Sequence, residues 1–264
     1  LNTLTRETIK ENWYNPLCIK LEQIGISFHF SLSDKIKILK VGNELAISLI
    51  DIINPFSPHD LLAIQQAYQI QNVKLVHLWE DVWLSRPEQV LARIQSLLGS
   101  NKRIHGRKTA VKRISKPIAD VFLNTNHLQG TVTARYKMGL FLGDELVAVA
   151  SFSGLRKMNY SESYRSAELI RFAVKAGYSV TGGLSKLISA FEAEFKPQDI
   201  MTYSDNDWSA GNAYFRLGFK QTDILKPQYF ILDENFQRSL EKEANNSINP
   251  KVFNTGSLKF ILKF

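Results

Sequence analysis

Cysteine is nearly missing from the sequence. A single thiol, Cys18, stands among 264 residues, which excludes an internal disulfide and any zinc site built on cysteines. The five histidines, at positions 29, 59, 77, 105 and 127, keep no close metal-ligand spacing, so a structural metal is not expected. Long hydrophobic runs are lacking too. Leu45–Ile50 and Leu146–Ala150 are among the longest, far short of the roughly 20 residues that cross a bilayer. The first residues carry no basic segment followed by an apolar stretch, so the expectation is a soluble, cytoplasmic protein with no membrane partner. With 44% hydrophobic and 22% charged residues, the composition is that of a globular chain and not a disordered one. At roughly 150 residues per domain, its length suggests about two domains. The sequence has no internal repeats and no low-complexity tracts.

Positive charge is in excess, +8 overall, and it is concentrated. Residues 1–100 hold nine Lys/Arg against ten Asp/Glu (−1), residues 101–137 nine against one (+8), and residues 138–264 fifteen against fourteen (+1). A block of this kind makes a positive face that suits a phosphate backbone. The competing reading is a solvated basic strand that serves only solubility. Arg103, Arg107, Lys108, Lys112 and Arg113 are the candidate nucleic-acid contacts, with DNA as the expected partner.

Two α/β domains are expected, residues 1–100 and 101–264. In the first, Thr5–Asn12 reads as a short polar helix. Ile36–Val41 and Leu45–Ile50 read as a hairpin around Gly42-Asn43. His59–Gln69 has helical periodicity, Val73–Leu78 reads as a buried strand and Pro87–Leu98 as an amphipathic helix. Gly99-Ser100-Asn101 marks the boundary. Beyond it the expected order is a long basic strand (Arg103–Ile114), a helix (Lys116–Asn126), a hairpin (Lys137–Leu142 and Leu146–Phe152) and a strand (Ala167–Val174). A glycine loop then opens a helix (Ser185–Phe195), followed by a strand (Asp199–Tyr203), a helix (Gly211–Arg216) and a strand (Tyr229–Leu232). A polar stretch, Glu241–Asn249, precedes a last strand, Ser257–Phe264, expected to return to the sheet.

The most specific local feature is Val180-Thr181-Gly182-Gly183-Leu184-Ser185-Lys186. Glycines let a backbone approach a ligand, and the start of a helix offers free N–H groups and a positive dipole end to an anion such as a pyrophosphate. The spacing is neither that of a Walker loop nor of a dinucleotide fingerprint. A tight strand-to-helix turn without a ligand stays open as the alternative.

Met201-Thr202-Tyr203-Ser204-Asp205 and Asn212-Ala213-Tyr214-Phe215-Arg216-Leu217-Gly218-Phe219, with the order of elements over residues 103–232, resemble the closing half of the acetyltransferase (GNAT) fold. The resemblance covers about half the chain. It implies an α+β domain with a mixed sheet and flanking helices, and acetyl-coenzyme A or a related acyl-coenzyme A as cofactor. Val180 to Lys186, with Asn212, would hold that donor. Leu184 stands where the family's second Gly or Ala falls, and Ser179 where its Gln or Arg falls. Tyr214 matches the tyrosine that protonates the leaving thiolate, a role that suits a phenol neutral at pH 7. A tyrosine that only packs the helix beside Leu217 is the other reading.

A narrower resemblance rests on Glu168-Leu169-Ile170-Arg171-Phe172, the glycine loop, Tyr203-Ser204-Asp205 followed by Trp208-Ser209 and Gly211-Asn212, and Phe122-Leu123 followed by Asn126-His127-Leu128-Gln129-Gly130. Together these are similar to a phage-associated branch that includes the Mom-type adenine-modification proteins and phage proteins of homing-endonuclease type. The resemblance implies transfer to a base amine of nucleic acid. Such transfer needs a proton acceptor, an oxyanion donor and a donor for the leaving sulfur. Glu168 is a candidate base, or an ion-pair partner of Arg171 or of the basic strand. Asp205 could accept from the amine, or cap a helix near Ser209. His127 could act as base or base reader, or serve a turn.

Residues 1–100 resemble a very-short-patch-repair or PD-(D/E)XK nuclease core, most clearly in Trp79-Glu80-Asp81-Val82-Trp83. A nuclease of that type needs clustered carboxylates for Mg²⁺. Ser48 stands where a metal-binding acid would fall, so an inactive nuclease-like domain is expected, with Glu80 and Asp81 fixing a turn. The expected function is therefore a GNAT-type transferase of phage or mobile-element kind that acylates a nucleic-acid base. The alternatives are a non-catalytic nucleic-acid-binding protein and an acetyltransferase acting on a protein or small amine.

Overall fold

Gly42, with φ +62°, turns one strand back on the next, and the architecture can be followed from that hairpin. The computed structural model describes residues 12–33, 35–159, 161–241 and 251–264. The helix expected over Thr5–Asn12 lies outside these residues except for Asn12, as does most of the polar stretch Glu241–Asn249.

The elements begin with α1 (Asn15–Gln23), β1 (Phe28–Ser33), β2 (Ile36–Val41), β3 (Leu45–Ile50), α2 (Pro58–Ile70), β4 (Lys74–Trp79), α3 (Glu80–Ser85) and α4 (Pro87–Leu97). Then come β5 (Lys102–His105), β6 (Ala110–Arg113), α5 (Lys116–Asn126), β7 (Tyr136–Leu142), β8 (Glu145–Phe152), β9 (Arg156–Lys157), β10 (Arg165–Val174) and β11 (Tyr178–Thr181). The rest are α6 (Gly183–Phe195), β12 (Asp199–Asp205), α7 (Asn212–Arg216), β13 (Lys220–Leu225), β14 (Tyr229–Leu232), β15 (Arg238–Leu240), β16 (Lys251–Phe253) and β17 (Ser257–Lys263). The class is α+β, as expected.

The chain divides into two compact units. Among the described residues, the first takes those up to Leu91, together with Asp205–Ala210 and those within 224–257. The second takes Ala92–Ser204, Gly211–Asp223 and Leu258–Phe264. Compared with a single boundary near residue 100, the first crossing comes earlier, and two later segments join the N-terminal unit.

In the first unit, β1, β2 and β3 form an antiparallel meander and β4 adds parallel to β3. The crossover is α2, begun by Pro58 and by a capping box in which Ser57 and Asp60 satisfy each other's backbone N–H. All six residues of β3 are buried. Ile50, Leu61, Trp79, Leu232, Val252 and Phe253 form one core cluster, in which Trp79 meets Phe253 edge-on at 4.8 Å. Asp207 fastens the returning segment by accepting from Trp79 Nε1 (3.1 Å), Thr255 N (2.9 Å) and Thr255 Oγ1 (2.6 Å).

In the second unit, a mixed sheet runs in the order β13-β17-β12-β10-β8-β7-β6, with β9 pairing beside β10. The last strand docks back as expected, between β12 and β13. Ala148, Ala150 and Phe152 of β8 join the cluster around Leu187, Ile188 and Phe191 of α6, with Phe152 and Phe191 stacked at 4.0 Å. Val149 between them joins Ala119, Phe122 and Leu123 of α5. Alternation along β8 therefore puts the two helices on opposite faces.

The long strand expected over Arg103–Ile114 is two short ones. β5 pairs parallel with β11, whereas β6 pairs with β7 at the sheet edge, and a single 3₁₀ turn at Gly106–Lys108 separates them. At the break an added Cβ on Gly106 would lie 3.0 Å from the Thr181 carbonyl oxygen, so glycine eases a close approach of the two segments.

Candidate active site

In the second unit, β10 and β12 run parallel from Ser166↔Asp199 to Leu169↔Thr202. Their base is fastened by the Asp199 carboxylate, which accepts from Tyr164 Oη (2.8 Å) and from Ser166 Oγ. Pairing between them then stops. The register of β10 against β8 shifts between Leu169 and Arg171, a bulge at Ile170 that re-aims the strand. In place of another rung, Thr202 Oγ1 donates to the Leu169 carbonyl at 2.9 Å. Both strands continue beyond this point unpaired with each other.

Tyr214, on the short helix α7, is placed by its ring contacts with Phe219 and Phe260, each at 5.4 Å. Burial pushes its phenol above the ordinary value of 10, against weaker lowering by the Thr202 side chain and by the charges of Arg93 and Arg171. The phenol therefore stays protonated at neutral pH and is a proton donor. Arg93, on α4, has its own pKa lowered by burial, with the Tyr214 phenol acting the other way.

The glycine loop is ordered as a strand-to-helix turn. Val180 and Thr181 lie on β11, paired with Ile104 and His105. Gly182, in the left-handed conformation at φ +73°, is the N-cap of α6, and no side chain caps that end. The amides of the first turn therefore have no capping side chain. A Cβ at Gly183 would lie 2.8 Å from Val180 Cγ1 and 3.0 Å from Leu140 Cδ1, so this glycine is required by packing. Leu184 is buried in the core, Ser185 is exposed, and Lys186 turns inward, its Nζ donating to the Gly106 carbonyl (3.1 Å) and to that of Thr109. Asn212 is exposed at the start of α7.

Other expected residues have structural partners. Glu168 pairs with Arg156 at 3.2 Å, from the strand β9 that lies beside β10. His127 closes the end of α5, where its Nδ1 accepts from Gln129 N at 3.0 Å. Asp205 belongs to the first unit, and its Oδ1 accepts from Asp207 N at 3.0 Å while its carbonyl accepts from Trp208 and Ser209 N. In the same unit, Glu80 accepts from Ile52 N (2.9 Å), and Asp81, 1% exposed, takes a bidentate ion pair from Arg238 at 2.6 and 2.9 Å. Both carboxylates are thus engaged around the strand-to-helix turn. No three His, Cys, Asp or Glu side chains among the described residues gather as a metal site.

Of the basic run, Arg103, Arg107, Lys108 and Lys112 are exposed. Lys112 lies over the Phe141 ring at 4.9 Å, and Arg113 is ion-paired with Glu194 and stacked over Phe195 at 5.0 Å. Arg93, Arg171 and Thr202 act on the Tyr214 phenol; Arg171 and Thr202 lie within motifs noted in the sequence, whereas no sequence pattern singles out Arg93.

The fold is thus an α+β chain whose second unit has a mixed sheet opened between two parallel strands. No protein-family model matches the sequence, and no curated protein matches it. Among solved structures, an acetyltransferase of the GNAT family from Elizabethkingia anophelis with acetyl-CoA bound aligns over 60% of this chain and 99% of its own, at 15% identity and TM-score 0.36. Arabidopsis thaliana Naa50 in complex with a bisubstrate analogue aligns over 60% and 99%, at 14% identity and TM-score 0.40. The ribosomal-protein-S18-alanine N-acetyltransferase from Escherichia coli aligns over 59% and 93%, at 14% identity and TM-score 0.39. No helix among the described residues is long and apolar enough to cross a membrane.

Proposed function

We propose that this chain is an acyltransferase of the GNAT type that uses an acyl-coenzyme A donor, and that its acceptor is a base amine of nucleic acid, as in the Mom-type proteins. The observation that carries the proposal is the parting of β10 and β12 beside a phenol that is held protonated. The parted strands leave free backbone groups where an extended pantetheine chain could pair. The uncapped, glycine-led start of α6 fits a pyrophosphate, although Lys186 is turned away from it. The donor's thioester would supply an activated acyl group.

Within this scheme Tyr214 holds a proton at Oη for the leaving sulfur. Thr202 orients the phenol, and the charges of Arg93 and Arg171 lower the cost of releasing the proton. Val180 to Lys186 and Asn212 flank the donor. Glu168 and His127 remain candidates for the acceptor side, each having to leave its present partner to act as base. Asp205, held in its own turn, is the weakest of the candidate bases.

The exposed cations Arg103, Arg107, Lys108 and Lys112 support a nucleic-acid acceptor. We read the N-terminal residues as a nuclease-like unit without nuclease chemistry. Asp51, at the end of β3, is already held by Lys37 (2.5 and 2.7 Å) and Trp13 (2.7 Å), and Ser48 is buried. The test is to incubate DNA with the protein and acetyl-coenzyme A and to weigh the released nucleosides. A gain of one acetyl group that needs Tyr214 supports the proposal. DNA binding with no gain would leave a binding protein.

A further inference from the structure

Residues of β12 turn alternately to the two faces of the sheet. Ile200, with Ala167 and Leu169 of β10, belongs to the core cluster shared with α6. Met201 and Tyr203 therefore turn to the other face, as does Glu168, which stands opposite Met201 in the ladder. This is the face on which α5 packs over Val149 and Ala173. Tyr203 is the first residue of β12 past the last rung with β10. At about 3.3 Å per residue and about 4.8 Å between strands, its Cα lies about 8 Å from that of Glu168.

Tyr203 is 37% exposed, between the buried Thr202 and Ser204. Among the described residues its ring meets no other ring and no cation. A bare aromatic face accepts any base by stacking. The exposed cations grip phosphates and do not read or hold a base. A base still paired in a duplex keeps its own stacking neighbours, so chemistry on its amine requires it to leave the stack. A ring beside the gap in the sheet gives such a base somewhere to go.

We propose that Tyr203 is the platform on which the acceptor base stacks, and that the substrate is therefore an unpaired base. Its assignment to the acceptor rests on the transferase reading above. In that reading the acid, Tyr214, packs in the cluster on the α6 side of the sheet, and the candidate base Glu168 lies on the other. The acceptor then enters over Tyr203 on the Glu168 face, and the leaving sulfur meets the phenol across the gap.

Anisotropy titration of the full chain, without turnover, tests this with two single strands of equal length and charge. One is wholly abasic and the other carries a single adenine. The adenine strand is expected to bind about five- to a hundredfold more tightly. Tyr203→Ala should remove that advantage and Tyr203→Phe, which keeps the ring, should retain it. Should Tyr203→Ala fail to fold, Tyr203→Trp reads the same contact, because the adenine strand and not the abasic one should quench the added indole fluorescence. Equal binding of the two strands would overturn the proposal. So would an advantage that survives Tyr203→Ala, an advantage that Tyr203→Phe also loses, or equal quenching by both strands. Acetyl-coenzyme A is titrated separately. An adenine advantage that needs Tyr203, without binding of acetyl-coenzyme A, keeps the platform and sinks the transferase reading. Acetylation of DNA without such an advantage sinks only the platform.

Discussion

Thr202 Oγ1 donates to the carbonyl of Leu169 at 2.9 Å, on the last rung of the parallel ladder. The same side chain acts on the Tyr214 phenol, lowering its pKa against the effect of burial. One buried hydroxyl therefore stands both at the end of the pairing of two strands and beside the group placed at their parting.

Thr202→Val keeps the shape and removes the hydroxyl. It is expected to cost about 1–2 kcal/mol of stability, because a buried carbonyl loses its partner. It should also raise the Tyr214 pKa further above 10, since the Thr202 side chain lowers it. Thermal melts and an ultraviolet titration of tyrosine check both effects.

Gly211 precedes α7 at φ +74°, and an added Cβ would lie 2.2 Å from Phe260 Cζ. Strain and overpacking act together at this position. Gly211→Ala is expected to destabilise the second unit by about 2–4 kcal/mol, seen as a lower urea midpoint. Gly143, at φ +61° with nothing within 4 Å, should cost no more than about 1–2 kcal/mol for the same change.

His77 is fully buried in the first unit, opposite Ser48 in the β3–β4 ladder, and neither side chain has a hydrogen-bond partner. Burial lowers the His77 pKa below 6.5, against smaller raising effects from the Asp207 charge and the Leu61 backbone. The unfolded chain then binds the proton that the native chain refuses. Stability should be level above about pH 6.5 and fall below it, by up to about 1.4 kcal/mol per pH unit for this one group. Denaturant midpoints between pH 5 and 8 measure the slope, and His77→Leu should flatten it.

Charge reversal at Arg107, Lys108 and Lys112 is expected to abolish DNA binding at moderate salt. Any binding that persists at low salt should have a shallower salt dependence, by about 0.9 in the logarithmic slope for each phosphate no longer neutralised. Arg113→Ala should matter less, because Arg113 is already paired with Glu194. Binding isotherms at several salt concentrations separate the two cases.

Much of the local structure is legible in the residues. Gly42-Asn43 sets the hairpin, and the helix Lys116–Asn126 has both ends where its pattern puts them. The elements α1, β1 and α3 are not evident from pattern. In α1 the buried residues Leu17, Cys18 and Leu21 sit among polar neighbours, which gives a weak period. The close approach of Gly106 to the carbonyl of Thr181, 75 residues away, is carried by no local pattern. The site is less legible than the fold. Tyr214 and the glycine loop can be named from their motifs. Arg93 cannot, because an arginine on an amphipathic helix reads as solvent-facing until tertiary packing encloses it. The Glu168 ion pair with Arg156 follows from the pairing of the two-residue strand β9 beside β10, which alternation alone does not reveal.

The central claim is acyl transfer from coenzyme A with Tyr214 as the acid, and one comparison tests it most directly. Wild-type protein and Tyr214→Phe are each given acetyl-coenzyme A and DNA, and the digested nucleosides are weighed. The account predicts an acetylated base with the wild type, a rate about 10²–10⁴ lower with the variant, and unchanged binding of acetyl-coenzyme A by both. No acetylated base together with no binding of acetyl-coenzyme A, or equal rates for the two proteins, would contradict it.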